Sequence, residues 1–197
     1  MGGAGGSRIG TLLQLLRKFL LVTLLVMVSL IVLSALGVNI GPLIAGAGVI
    51  GIALGFGTGL SKKAPGTVGS VLAALLWWWL MAEQPVWLQL LVIGVGFELG
   101  VRASNWMIAK TGVHDPGYIV WDEFIGQWIA LLLLPKTLMA YVLAFILFRL
   151  FDIVKRGPVG WADKHFSGGF GVMIDDVSAG LMALAAAQTV WYFTGLA

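Results

Sequence analysis

Two adjacent carboxylate pairs stand inside otherwise apolar runs: Asp122-Glu123 within VWDEFIG (120–126) and Asp175-Asp176 within MIDDV (173–177). Neighbouring residues on a helix project about 100° apart, so one member of each pair faces a bundle interior while the other reaches a neighbouring helix or water. Between the pairs, Arg149, Asp152 and then Lys155 or Arg156 recur at i, i+3 and i+6 or i+7, a mixed-charge stripe on one helical face. Oxygen-only ligands beside cationic side chains suit a hard ion such as magnesium (Mg2+), which takes one or two carboxylates and bridges to phosphate oxygens. Such an ion polarises a phosphoryl group and activates water, which is what hydrolysis of a phosphomonoester needs. On this reading Asp122, Asp175 and Asp176 are the metal ligands, Glu123 or Asp152 positions water, and Arg149 with Lys155 holds phosphate. The competing reading is a set of interhelical salt bridges that locks the bundle.

A second polar feature is the Gly-, Ser- and Thr-rich loop GFGTGLSKKAPGTVGS (55–70), which enters a helix and offers backbone N–H groups and hydroxyls to an anion. Ser61, Thr67 and Ser70 are its candidate substrate contacts, with His114 and Asp115 from the loop before the first acidic pair. The same Gly and Pro residues also suit a tight membrane turn. The chain has no cysteine, which removes thiol nucleophiles, thiolate metal sites and disulfides together. The two histidines lack a Ser-Arg partner pattern and argue against a phosphohistidine route.

The elements that must carry these residues are membrane helices. Only 11% of residues are charged against 59% apolar, and the mean hydropathy is +0.99, whereas roughly a quarter of a soluble domain is charged. The stretch 19–61 holds no charged side chain and is about twice the roughly 20 residues one span needs. Apolar runs punctuated by Gly, Pro and charge predict an all-α polytopic bundle with spans near 19–37, 43–60, 69–82, 86–101, 118–134, 137–154 and 171–194. Six is the alternative count, because the third run would cover only about 21 Å. With the N-terminus cytoplasmic, Lys136 is the one residue of twelve Lys and Arg that falls outside, and Glu83 the one of nine acids. The N-terminal run reads as an uncleaved anchor behind a flexible Gly-rich lead. Basic residues scattered between apolar segments, with a net charge of +3, point to the membrane surface and not to nucleic acid.

From Gly55 to about Tyr192 the chain resembles the phosphatidylglycerophosphatase A family of bacterial membrane enzymes. The resemblance rests on GFGTGLSKKAPGTVGS, GVHDPGYIVWDEFIGQW (112–128), FRLFDIVKRGPVGWAD (148–163) and GGFGVMIDDVSAG (168–180), taken in that order. It implies a Mg2+-dependent phosphatase of the bacterial inner membrane, active at the cytoplasmic face on the phospholipid phosphatidylglycerophosphate. Its acidic centre would be Asp122, Glu123, Asp152, Asp175 and Asp176. Where the family usually has Ser-Pro and Lys-Pro, this chain has Ser61-Lys62 and Lys155-Arg156, which adds positive charge. The residues before Gly57 resemble instead the last transmembrane helices of the small-conductance mechanosensitive channel family, through LLRK (15–18), LSALGVNI (33–40) and LIAGAGVIGIALGFG (43–57). The two resemblances meet on Gly55-Phe56-Gly57. The expected organisation is a two-span hairpin in 1–54 and a catalytic membrane domain in 55–197. A channel or oligomerising pore module on the Gly/Ala-rich second span is the alternative function, and the N-terminal helices are the candidate surface for a homo-oligomer.

Overall fold

The computed structural model describes residues 41–113 and 117–194, with isolated positions between 14 and 37. The chain divides into two compact units, Met1–Ala47 and Gly48–Ala197. In the first, the expected span over 19–37 lies largely outside the described residues; Leu25 and positions 28–30 and 32–34 are helical, and Gly37 turns with φ +80°.

Every regular element among the described residues is helical: α1 (Gly41–Ala53), α2 (Pro65–Leu76), α3 (Val86–Thr111), α4 (Trp121–Leu131), α5 (Leu138–Val154), α6 (Pro158–His165) and α7 (Gly168–Thr194). A 3-10 turn, Gly55–Leu60, follows α1, and a π turn, Trp77–Met81, extends α2. Two of these helices, α3 and α7, are long and apolar enough to cross a membrane.

The expected helix over 43–60 is not continuous. Gly55, Phe56 and Gly57 have φ of +49°, +55° and +95°, and a right-handed helix cannot run through three successive left-handed residues. Gly55 is required there on two counts, since a Cβ would also lie 2.7 Å from both Phe124 and Val120. Phe56 accepts the strained backbone with its ring edge-on to Trp121 at 5.9 Å. The Val120 N–H then donates to the Ala53 carbonyl (2.9 Å), tying the end of α1 to the start of α4.

Small residues set how closely the helices approach. In α2 the buried positions are Gly66, Gly69, Ser70 and Ala73, a stripe at i, i+3, i+4 and i+7, and the Trp128 indole N–H donates to the Ala73 carbonyl at 3.0 Å. The third apolar run, expected to be short, is lengthened by the π turn to Pro65–Met81, roughly 25 Å of helix. The turn also separates the three tryptophans: Trp77 is buried on Trp128, Trp78 meets Tyr141 edge-on at 4.8 Å, and Trp79 is exposed. Helix α3 runs ten residues past its expected end because nothing stops it before Gly112, a left-handed C-terminal residue (φ +69°). Trp121 donates its indole N–H to the Gly96 carbonyl at 2.8 Å and so fastens α3 to α4.

Helix α4 sits at the centre. Within it only Asp122 and Glu123, in the first turn, escape full burial. At eleven residues it is about 16 Å long, too short to cross a hydrocarbon core of about 30 Å. Residues 132–135 complete the expected 118–134 run as non-helical chain, with Leu132 and Leu134 buried and the Leu133 carbonyl accepting from Gln188 Nε2 (3.0 Å). Such backbone is tolerated at membrane depth where protein covers it. Helix α7 packs along α4, α5, α3 and α6. Its Gly180 lies against the Gly126 carbonyl of α4, close enough that a Cβ on either glycine would clash.

Candidate active site

The start of α2, the first turn of α4, the last turns of α5, Asp163 of α6 and the first turns of α7 meet around a polar cavity of about 280 Å³. Six carboxylates line it, Asp122, Glu123, Asp152, Asp163, Asp175 and Asp176, against two cationic side chains, Arg149 and Lys155. Asp152, Asp175 and Asp176 are buried.

One carboxylate oxygen each from Asp122, Glu123 and Asp176 lie within 4.8 Å of one another. Local chain geometry explains the cluster. Asp122 and Glu123 occupy the first turn of α4, where the helix dipole favours acids, and Asp122 Oδ1 accepts the Glu123 N–H at 3.1 Å. Asp176 arrives from α7, which the Gly126–Gly180 contact holds hard against α4. Glu123 Oε2 and Asp176 Oδ2 are buried without a hydrogen-bond partner, and so is Arg149 Nε. A buried carboxylate oxygen left unpaired is costly unless a proton or a cation meets it.

The cationic residues are held beside this cluster. Arg149 Nη1 bridges to Asp152 Oδ2 at 2.6 Å, stands 4.0 Å from Glu123 Oε1 and donates to Ser70 Oγ at 3.5 Å. Ser70 in turn donates to the Gly66 carbonyl (2.8 Å). A Cβ on Gly66 would clash with Glu123 Oε1, so a larger residue there would displace the Glu123 carboxylate. Lys155 ends α5 in the left-handed conformation (φ +44°), which swings its Nζ onto both Asp175 Oδ2 and Asp163 Oδ1 at 2.7 Å. Burial opposes the charge on Lys155, but these two hydrogen bonds outweigh it and raise its pKa above the ordinary lysine value.

The acidic centre expected from the sequence thus gathers in one place, with a different division of labour. Asp122 and Asp176 converge as expected, but the third close carboxylate is Glu123. Asp175 turns instead to Lys155 and, through Oδ1, accepts the Asp176 N–H (3.0 Å). Asp163, which is not among the candidate residues above, is a cavity wall. It is brought there by α6, an element too polar to appear among apolar runs but signalled by Gly157-Pro158, a turn followed by proline at the first helical position. From the Gly-rich loop it is Ala64, Pro65 and Gly66 that line the cavity. Ser61 spends its hydroxyl on the Lys63 carbonyl (2.9 Å), Thr67 is not among the lining residues, and Ser70 acts through Arg149. His114 and Asp115 lie outside the described residues. Asn105, not singled out by any sequence pattern, accepts the Gly169 N–H at 2.7 Å and steadies the start of α7.

The remaining charges stand apart. Glu98 and Arg102 form an exposed i, i+4 pair on α3 (2.8 Å). Glu83 and Lys136 pair with each other at 2.8 Å at the other end of α2 and α5. The hydrogen bond from Lys136 and its charge hold the exposed Glu83 below the ordinary glutamate pKa.

A helical bundle with two helices apolar enough for a membrane, enclosing an acid-rich pocket with a fixed arginine and lysine, has the build of a membrane hydrolase that handles an anion. Residues 51–191 match the family model for phosphatidylglycerophosphatase A, and the chain belongs to that family and is a phosphatase. It is 45% identical to the phosphatidylglycerophosphatase A of Escherichia coli over 73% of its own length and 81% of the relative's. The phosphatidylglycerophosphatase A of Haemophilus influenzae is 41% identical, over 72% and 88%. Residues 18–58 match a second family model, the mechanosensitive ion channel transmembrane helices 2/3. The moderate conductance mechanosensitive channel YbiO of E. coli is 50% identical to the chain over 26% of its length, which is 7% of the channel. No solved structure gives a significant match.

Proposed function

We propose that this protein removes the terminal phosphate of phosphatidylglycerophosphate, with Mg2+, at the cytoplasmic face of a bacterial inner membrane. The observation that carries the reading is the convergence of Asp122, Glu123 and Asp176 with buried, unpartnered oxygens beside Arg149. The donor set fits Mg2+: all oxygen, of high negative charge, in a cavity with room for waters and a phosphate. When bound, the ion supplies charge neutralisation at the phosphoryl oxygens and a more acidic water. Asp122, Glu123 and Asp176 would hold it. Arg149 and Lys155 orient the phosphomonoester, each held by a carboxylate so that its donors are directed before substrate arrives. Asp152 fixes Arg149, and Asp163 with Asp175 fixes Lys155. The cytoplasmic placement follows from the expected pattern of basic residues: with the N-terminus inside and seven crossings, every charged cavity wall would lie on the inner side.

Phosphate release from phosphatidylglycerophosphate by purified protein, with and without Mg2+, tests this reading. Release that requires Mg2+ and falls about a hundredfold or more in Asp176→Asn is expected. No release by the wild type, or full activity in Asp175→Asn/Asp176→Asn, contradicts it.

The channel-like match of 18–58 favours a second, separate role for the N-terminus as a hairpin through which copies of the chain assemble. Crosslinked oligomers that disappear on deletion of residues 1–47 support that role, and an unchanged crosslinking pattern removes it.

A further inference from the structure

Four aromatic side chains form a continuous ridge that starts at the wall of the acid cavity. Trp161 of α6 meets Phe166 edge-on with ring centroids 5.8 Å apart, Phe166 meets Phe170 of α7 at 5.2 Å, and Phe170 meets Phe97 of α3 at 5.8 Å. Trp161, Phe166 and Phe170 are all exposed. Phe166 belongs to both features: among the described residues that line the cavity, it is the one large apolar side chain that is also exposed. Another exposed part of the lining, Ala64, follows the exposed Lys62 and Lys63, and is basic where this one is aromatic. The surroundings of the ridge match the boundary between headgroups and hydrocarbon. Tryptophan and its aromatic neighbours favour that boundary, where an apolar ring and a polar edge are both accommodated. On the α6 side, Arg156 and Lys164 are exposed and make no ion pair among the described residues, which suits anionic headgroups. On α3, a helix apolar enough to cross a membrane, the exposed Glu98–Arg102 pair begins directly after Phe97, whereas Leu90, Leu91 and Val95 before it are exposed and apolar. The ridge therefore runs from charged surface to the point where charge gives way to apolar surface.

We infer that this ridge is seated in the headgroup region of the bilayer and that the phospholipid headgroup enters the acid cavity over Phe166. The inference rests on the lipid phosphatase reading above and extends it to the route of the substrate. Trp161 and Phe170 hold the α6–α7 edge of the cavity against the lipid, and Phe166 is the threshold between lipid and carboxylates.

Two measurements on the full chain, reconstituted in vesicles of phosphatidylcholine and phosphatidylglycerol, test it. The chain has no cysteine, so a single introduced cysteine is the one site for a nitroxide label. Labels on Trp161→Cys and Phe170→Cys are expected to collide severalfold more with oxygen than with a water-soluble nickel chelate, and a label on Lys63→Cys the reverse. Nickel-dominated relaxation at both 161 and 170, one reading at all three positions, or spin–spin broadening that marks a second copy on the ridge overturns the inference. The second measurement compares phosphate release from phosphatidylglycerophosphate in the vesicles and from its headgroup without acyl chains. Trp161→Glu/Phe170→Glu places charge on the ridge without altering a cavity residue. It is expected to raise KM for the vesicle lipid about tenfold while leaving kcat and the headgroup rate unchanged. Trp161→Tyr/Phe170→Leu is expected to keep the wild-type KM. An unchanged KM in the charged variant, or an equal loss on both substrates, overturns the inference. If the wild type releases phosphate from neither substrate, the phosphatase reading fails and the nitroxide depths alone decide the ridge.

Discussion

The two ends of the bundle handle charge in opposite ways. At one end Glu83 and Lys136 meet as a single exposed pair, each satisfied by the other, and the chain there gains little beyond a local tether. At the other end six carboxylates surround two cationic side chains in a largely buried cavity, and three of the acids bring an oxygen each within 4.8 Å of one another. An isolated pair of opposite charges can be explained as scaffolding. A surplus of buried negative charge cannot, because it opposes folding unless something positive occupies it. The difference marks one end as structural and the other as a site.

Neutralising part of that surplus separates function from stability. Asp122→Asn and Asp176→Asn should each lower phosphate release about a hundredfold or more and at the same time raise the thermal midpoint in chelator, since each removes a buried like charge. A midpoint that falls in step with activity would make the cluster a scaffold. Arg149→Ala removes a phosphate contact and strands Asp152; a loss of about 3–5 kcal/mol in stability is expected alongside a severe loss of activity, measured by denaturant melting and phosphate release. Gly126→Ala sets a Cβ against the Phe148 ring and 2.7 Å from the Asp176 carbonyl, and should destabilise by about 1–3 kcal/mol. Because it also pushes Asp176 away from α4, activity should fall further than stability alone accounts for.

Smaller effects belong to the two lysines. The raised pKa of Lys155 means that its stabilising contribution is complete below the unfolded lysine value of about 10.4 and is lost only as pH rises through the folded one. The alkaline limb of the pH–rate profile below pH 10 should therefore be unaltered in Lys155→Arg. At the opposite end, Glu83→Gln should leave activity unchanged. The lowered pKa of Glu83 gives a contribution present above the ordinary glutamate range and lost as pH falls through the folded value, and salt should screen it.

What the sequence made legible follows from what depends on pattern alone. Carboxylates inside apolar runs are conspicuous whatever surrounds them, so Asp122, Glu123, Asp152, Asp175 and Asp176 were visible as one centre. Their pairing was not visible, because it depends on a single left-handed residue: the φ of +44° at Lys155 turns its side chain back to α6 and α7 and pairs it with Asp175. The hydroxyls of the Gly-rich loop misled for a related reason, since the Ser61 hydroxyl is satisfied within its own turn and only the backbone around Gly66 reaches the cavity. Helix α6 has too little apolar character to register as a run.

The central claim is that Asp122, Glu123 and Asp176, not Asp175, form a divalent-cation site. Electron paramagnetic resonance of Mn2+ binding to detergent-solubilised protein tests it most directly, because Mn2+ takes the same oxygen ligands and reports its own binding without turnover. The account predicts a bound ion in the wild type and in Asp175→Asn, whose amide oxygen can still accept the Asp176 N–H, and none in Asp122→Asn/Asp176→Asn. Undiminished binding in the double variant, or binding abolished by Asp175→Asn alone, would contradict it.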